Sequence, residues 1–333
     1  MLFLKADVQR YSMKILIIRF SSIGDIVLTT PVIRCVKQQI PGVEVHYITK
    51  KAYESVLKFN PYIDKLHLLE GSLSDQIRRL KEEKFDFVVD LHHNLRTLRI
   101  KRGLGAKSAS FNKLNIEKFL LVNLMINMMP DVHIVDRYLE TVASLGVKND
   151  GKGLDYFLGE DYSLEKLLPS SHQDYTGFAI GAQHATKRLP LEKIIRICEQ
   201  TEGPIVLLGG KEDKAVGDAV GRTVGDRVLN SCGSFSLNES AFLVKMSRQM
   251  VSHDTGLMHI AAAFNKKIVS VWGNTVPEFG MYPYKTDKHY TAEVKGLPCR
   301  PCSKIGHEKC PRGHFKCMNQ QDDRMIASIL NDI

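Results

Sequence analysis

The chain has 333 residues, 44% of them hydrophobic and 25% charged, with a formal net charge of +9 and a pI near 9.1. That length is too great for one ordinary core, so two domains are expected, and the basic balance points to an anionic partner: nucleic acid, an acidic membrane surface or a phosphorylated substrate. No apolar run is long enough to span a bilayer, the first residues lack a basic leader before an apolar stretch, and four of the seven cysteines crowd into residues 299–317; membrane span, secretion signal and disulfide framework are therefore set aside in favour of a reducing cytoplasm.

Residues 1–12 read as a short disordered extension ahead of Met13 or as a start-site artefact. Lys14 to Arg19 is a short continuous apolar run, the pattern of a strand buried on both faces of a parallel sheet. Phe20 to Asp25 is the turn, and Ile26 to Gln39 the helix, with Pro31 tolerated because it falls in the early turns. Strands follow at Val43 to Thr49, Lys65 to Leu69 and Phe85 to Asp90, separated by helices at Ala52 to Phe59 and Ser74 to Lys84. This alternation marks a doubly wound α/β domain. Residues 95–130 are less regular. Arg96, Arg99, Lys101, Arg102 and Lys107 form a basic cluster, and Lys118 to Met129 is apolar but too short and too interrupted by Asn for a membrane span. It could lie in a bilayer interface or complete the core; packing in the core or between domains is favoured, because it lacks a dense basic face of its own. Asp136 to Leu145 is a helix stopped by Gly146, and residues 147–175, rich in Gly, Ser, Asp and Pro, read as the linker.

The pattern then restarts. Strands are expected at Gly177 to Gly181, Pro204 to Leu208, Val228 to Leu229 and Lys267 to Trp272, with helices at Pro190 to Glu199, from about Glu212, and at Ser236 to Met246. Val251 to Ala263 reads as a strand end, a polar turn and a small-residue helix, and Asp322 to Ile333 as a last helix. Polar loops recur where strands end, which is where open α/β sheets bind ligands.

Each loop has a chemical and a plain structural reading. Asp25, beside Gly24 at a helix start, is placed to stay ionised and take a proton from a hydroxyl nucleophile; an aspartate that merely begins a helix has the same local sequence. One glycine is too little for a dinucleotide fingerprint. Asp254 and Thr255 fit an N-cap, Gly256 lets a ligand approach the backbone, and the remaining N–H groups suit a phosphate, with Asp254 a further acceptor for sugar hydroxyls. A capped helix entering a sheet explains that stretch equally well. Lys187 and Arg188, ahead of a proline-started helix, are a diphosphate grip or a solvated basic pair. Glu212 or Asp213, after Gly209-Gly210, suits ribose hydroxyls or a cap, and Thr275 lies in a fourth such loop. Cys299, Cys302, Cys310 and Cys317, with His307 and His314 between them, open with the spacing of zinc ligands, but the second pair is too far apart for a ribbon; packed thiols in a closing loop are favoured.

Met13 to Pro31, Lys187-Arg-Leu-Pro190, Gly209-Gly210, Ser252 to Ala262 and Val271 to Thr275 together resemble glycosyltransferase family 9, the ADP-heptose:lipopolysaccharide heptosyltransferases, over about residues 13 to 332. The resemblance implies an α/β GT-B fold: two Rossmann-like doubly wound parallel-sheet domains facing across a cleft. An acceptor domain would span 13–165, a nucleotide-sugar domain 176–320, and a last helix, 321–333, would cross back to the first domain. It also implies an inverting transferase that moves heptose, or a related sugar, from ADP-heptose to the lipopolysaccharide inner core and requires no cofactor. Asp25 matches the general base. Lys187, Arg188, Glu212, Asp254, Thr255, Gly256, His259 and Thr275 would bind the donor, and Ser22, Gly24, Arg96 and Arg99 the acceptor. No metal is favoured at the four cysteines. The partners are then a nucleotide sugar and an anionic lipid-A core, met from the cytoplasm with peripheral contact at the inner membrane face. Nucleic acid is not expected, for want of interleaved surface aromatics or a recognisable module. Two features depart from the family: Leu189 stands where an aromatic residue is common, and the cysteine-rich tail is foreign to its best-known members. The alternatives are a GT-B transferase using another nucleotide sugar, or a non-catalytic protein that binds nucleotide sugars or lipid A.

Overall fold

The computed structural model describes residues 12–332; residues 1–11 of the expected extension, and Ile333, lie outside the described residues. Two parallel sheets form the frame. The first joins β1 (Lys14–Ile18), β2 (Glu44–Lys50), β3 (Lys65–Leu69), β4 (Phe87–Asp90) and β5 (Lys107–Ser110) in the order β3-β2-β1-β4-β5. The second joins β6 (Thr176–Ala179), β7 (Ile205–Leu208), β8 (Val228–Asn230), β9 (Gln249–His253), β10 (Lys267–Trp272) and β11 (His289–Glu293) in the order β11-β10-β9-β6-β7-β8. β1, β4, β6, β7 and β9 are almost wholly buried, as helices on both faces of a parallel sheet require. This is the GT-B architecture.

Each sheet has one point where the strand order reverses, and there the loops leave in opposite directions and open a crevice. In the first sheet it lies between β1 and β4, where Ile18 pairs with Asp90. In the second it lies between β6 and β9, where Ala179 pairs with Ser252. The turn carrying Asp25 leaves the first crevice, and the loops carrying Lys187 and Asp254 leave the second.

Four expectations change, wholly or in part. The first helix begins at Ile23, not Ile26, so Asp25 sits inside its opening turn. Residues 107–132 hold an edge strand, β5, and a helix, Asn115–Leu124, whose expected packing between domains holds at Leu121, while Ile116, Phe119 and Leu124 stay exposed. Leu121 is its buried anchor, set against Val276 and Phe279. The linker is no free spacer: Leu154, Tyr156, Leu164 and Leu168 are buried in it, and the buried Arg34 guanidinium holds Asp150 at 2.7 Å and the Gly153 carbonyl at 2.9 Å. The last helix, Asp323–Asn331, does not cross to the first domain. It packs on the helix Leu191–Gln200 and on β10, with Asp323 2.6 Å from Lys193 and the Leu330 carbonyl accepting from Gln249 at 2.7 Å. Its buried face, Ile326, Ala327 and Leu330, matches the apolar surface beside it, so crossing would expose both.

Candidate active site

Asp25 is held from two sides. Its Oδ1 accepts from Arg19 Nη2 at 2.7 Å. Its Oδ2 accepts from Ser22 Oγ at 2.8 Å and, at 3.2 Å, from the Ser22 backbone N–H at the start of the helix Ile23–Val27. Arg19 is itself fixed, donating to the carbonyls of Ser21 at 2.7 Å and Leu91 at 2.6 Å and to Tyr138 Oη at 3.1 Å. Burial pushes the Asp25 carboxyl up, but the Arg19 charge and the Ser22 hydrogen bonds outweigh it and hold the group below the usual carboxylate range. Asp25 is thus an anion at neutral pH, the state a proton acceptor needs.

The two switch points meet at a pair of glycines. A Cβ on Gly24 would fall 2.6 Å from His259 Cδ2, and one on Gly256 would fall 2.8 Å from Ile23 Cγ2. The helix Ile23–Val27 therefore touches the start of the helix Gly256–Ala263, a contact that only residues without a Cβ allow. His259 is buried beside this contact, and its Nδ1 has no hydrogen-bond partner. Burial drives its pKa down to about 4 against the pull of Asp254 and Asp25, so the ring is neutral between two carboxylates.

Thr255, rather than Asp254, is the N-cap of the helix Gly256–Ala263, and it makes no side-chain cap bond. The expected capping by Asp254 is replaced by other partners. Asp254 Oδ2 takes Lys187 Nζ at 2.5 Å and Thr275 Oγ1 at 3.0 Å. The first N–H groups of the helix are left without a protein acceptor from the cap, a ready anion site. Lys187 sits on the single turn Ala185–Lys187, largely buried against Asp254. Arg188 folds back instead, donating to the Ala182 carbonyl at 2.6 Å with Nη1 3.4 Å from Asp213. Asp213 is buried and braces its own loop, accepting from Gly210 N at 2.9 Å; burial, the largest influence on it, raises its carboxyl. Glu212 is exposed at the rim. Of the expected donor set, Lys187, Asp254, Thr255, Gly256, His259 and Thr275 converge, whereas Arg188 serves the loop and Glu212 stands further out.

On the acceptor side, Ser22 and Gly24 lie at Asp25, whereas Arg96 and Arg99 are exposed along the helix Leu95–Leu104. Asp25 is among the charges that act on Lys113 and Lys118, after β5. Burial and the charges of Arg137 and Lys304 lower Lys118 to about 8. Sequence reasoning missed Arg19, Lys113 and Lys118; a buried arginine directly after an apolar strand was the available signal.

The cysteine-rich tail lies across the donor loops. Arg300 donates to the carbonyls of Gly273 at 2.6 Å and Thr275 at 3.0 Å, Cys302 N to the Asn274 carbonyl at 3.2 Å, and His307 N to Thr186 Oγ1 at 2.8 Å. The four tail cysteines carry free thiols, and Cys299 Sγ lies 3.7 Å from His314 Nε2. Among the described residues, the cluster of three potential ligand atoms within 4.8 Å of one another is His46, His67 and Glu83, away from the tail. Lys65 pairs with Glu83 there, and His46 is already hydrogen-bonded to His67 at 2.8 Å.

Two Rossmann-like lobes, a carboxylate at one switch point and a cation beside a free helix start at the other define a glycosyltransferase of the GT-B fold. Residues 74–310 match glycosyltransferase family 9 (heptosyltransferase), and the chain belongs to that family. It is 25% identical over 290 residues to lipopolysaccharide heptosyltransferase 1 of Campylobacter coli, an alignment covering 79% of this chain and 84% of that one. A family 9 glycosyltransferase of Veillonella parvula shares the fold with a TM-score of 0.76 at 20% identity, over 96% of this chain and 98% of that one. The E. coli heptosyltransferase WaaC with ADP-2-deoxy-2-fluoro heptose has a TM-score of 0.65 at 18% identity, over 85% and 94% of the two chains. No helix among the described residues is long and apolar enough to cross a membrane.

Proposed function

We propose that this enzyme transfers heptose from ADP-heptose to an anionic acceptor of the lipopolysaccharide inner core, working at the cytoplasmic face of the inner membrane. The relatives named above support the donor and the acceptor class, and Lys113 and Lys118, on which the charge of Asp25 acts, suit an acidic acceptor. The observation that carries the reading is the contact of Gly24 with the His259 ring, which sets an ionised Asp25 beside the Lys187–Asp254–Thr255 corner.

The chemistry follows from that placement. Asp25 takes the proton of the acceptor hydroxyl as its oxygen attacks the anomeric carbon. The bond from that carbon to the diphosphate oxygen breaks on the opposite face, giving inversion, and the electron pair leaves on ADP. Lys187 and the uncapped N–H groups after Thr255 meet the growing charge. Thr275 keeps the Asp254 carboxylate turned to Lys187, and neutral His259 separates the two carboxylates.

Asp25→Asn tests the reading with ADP-heptose and a lipid-A core acceptor. Turnover should fall by about 10²-fold or more while ADP affinity by calorimetry is retained. Near-normal turnover would remove Asp25 from its role, and transfer from UDP- or GDP-sugars but not from ADP-heptose would overturn the donor.

A further inference from the structure

Among the described residues, thirteen large hydrophobic side chains are exposed, and seven of them fall between residues 116 and 132. Ile116 is 73% exposed, Phe119 54% and Met128 62%, with Leu124 and Ile126 alongside. Scattered apolar residues on a surface are ordinary; a run of them on one short element marks a contact. Ile116 and Phe119, three apart on the helix Asn115–Leu124, share a face. The opposite side of that helix is held by Leu121 against Val276 and Phe279, so the fold turns the apolar face outward.

Cations border this surface. Lys113 precedes the helix, and Lys118 lies 5.8 Å from the Phe279 ring centre. The charge of Lys304, from the cysteine-rich tail, acts on both lysines, and its neighbour Ile305 is 63% exposed. The charge of Asp25 acts on both lysines as well.

We infer that the face formed by residues 116–128 and Ile305 is the surface by which this enzyme seats on an anionic lipid bilayer, with Ile116, Phe119 and Met128 inserted and Lys113, Lys118 and Lys304 at headgroup level. The inference deepens the proposed membrane-face activity and rests on that reading. The commitment to lipid comes from charge: ammonium groups bordering protruding apolar side chains, on a chain of net charge +9, complement acidic headgroups over hydrocarbon. A helix anchored on one side presents its other side at a fixed height, so docking there would hold the cleft open toward a lipid-anchored acceptor.

The test is flotation of the full chain with phosphatidylethanolamine–phosphatidylglycerol vesicles containing no acceptor. The triple variant Ile116→Ser, Phe119→Ser, Met128→Ser should lose at least about tenfold in vesicle affinity, and Lys304→Ala several-fold, with melting temperature and ADP affinity unchanged because these side chains are exposed. Equal binding by the triple variant, or no binding by the wild type at low salt, would overturn the inference. So would failure to bind vesicles together with a self-association, seen by light scattering, that the triple variant abolishes; the patch would then join copies of the chain. Transfer to a deacylated, water-soluble acceptor separates the two ideas. Losing that transfer with vesicle binding intact would sink the proposed reaction and leave the surface standing.

Discussion

Gly24→Ala probes the junction on which the chemistry depends. The new methyl would lie 2.6 Å from His259 Cδ2, against 3.4 Å for an ordinary contact, so one helix must retreat by about 0.8 Å. His259 is buried and cannot swing away into solvent. Alanine favours a helix over glycine by about 0.5–1 kcal/mol, whereas forced overpacking costs about 1–3 kcal/mol. The net result is a loss of up to about 2.5 kcal/mol, taken up at the seam between the lobes. A misplacement near 1 Å can cost about 10²-fold in rate, so turnover should fall steeply while ADP affinity, set within the second lobe, changes little. Gly221→Ala is the control: its Cβ would meet nothing nearer than the Val228 carbonyl at 3.7 Å, and it should be neutral or stabilising. In the double variant Gly24→Ala, His259→Ala the clash disappears, so the melting temperature should return to that of His259→Ala alone. Steady-state kinetics, calorimetry and thermal melts read all three. A Gly24→Ala enzyme within about twofold of wild-type turnover and with an unchanged melting temperature would mean that the two helix starts do not meet in the working enzyme.

Lys187→Ala removes the ammonium 2.5 Å from Asp254 and leaves that carboxylate without its cation beside the expected diphosphate. ADP affinity by calorimetry should drop by about tenfold or more, and an unchanged value would place the diphosphate elsewhere. His133, His253 and His259 are buried and held neutral, at about 3, 4 and 4, mainly by burial. Their folded values lie below the ordinary value of 6.5, so the unfolded chain takes up protons first as pH falls. Stability should therefore be full above pH 6.5 and decline below it, by up to about 4 kcal/mol per pH unit for the three together. Urea unfolding between pH 7.5 and 5 measures this, and a flat profile would contradict it.

The parts of the site that were legible in the sequence were those that topology dictates. A parallel sheet puts every strand end on one side, so Asp25 after β1 and Asp254 after β9 had to emerge where ligands bind, whatever else the chain did. The partners of those residues were not legible, because they come from other segments. Nothing local tells that Arg19 turns back to Asp25, or that Asp254 serves Lys187 and Thr275 rather than its own helix. The tail shows the same limit. Cys299 and Cys302 carry a ligand-like spacing, yet the contribution visible in the structure is Arg300 and backbone groups strapping Gly273 to Thr275.

The segment 118–129 was only partly legible, for a different reason: the expected domain packing holds at Leu121, and the side chains around it stay exposed. Apolar content reports that a stretch must leave water, and the core is only the commonest place to go. β5, with the sequence Lys-Ser-Ala-Ser, carries too little apolar pattern to announce an edge strand, so the helix after it had no visible sheet to cover. Once β5 is in place, the first sheet ends there, and the helix is anchored by Leu121 on Val276 and Phe279 of the second domain. The apolar side chains left over then face outward, and the proposed bilayer contact is what would cover them.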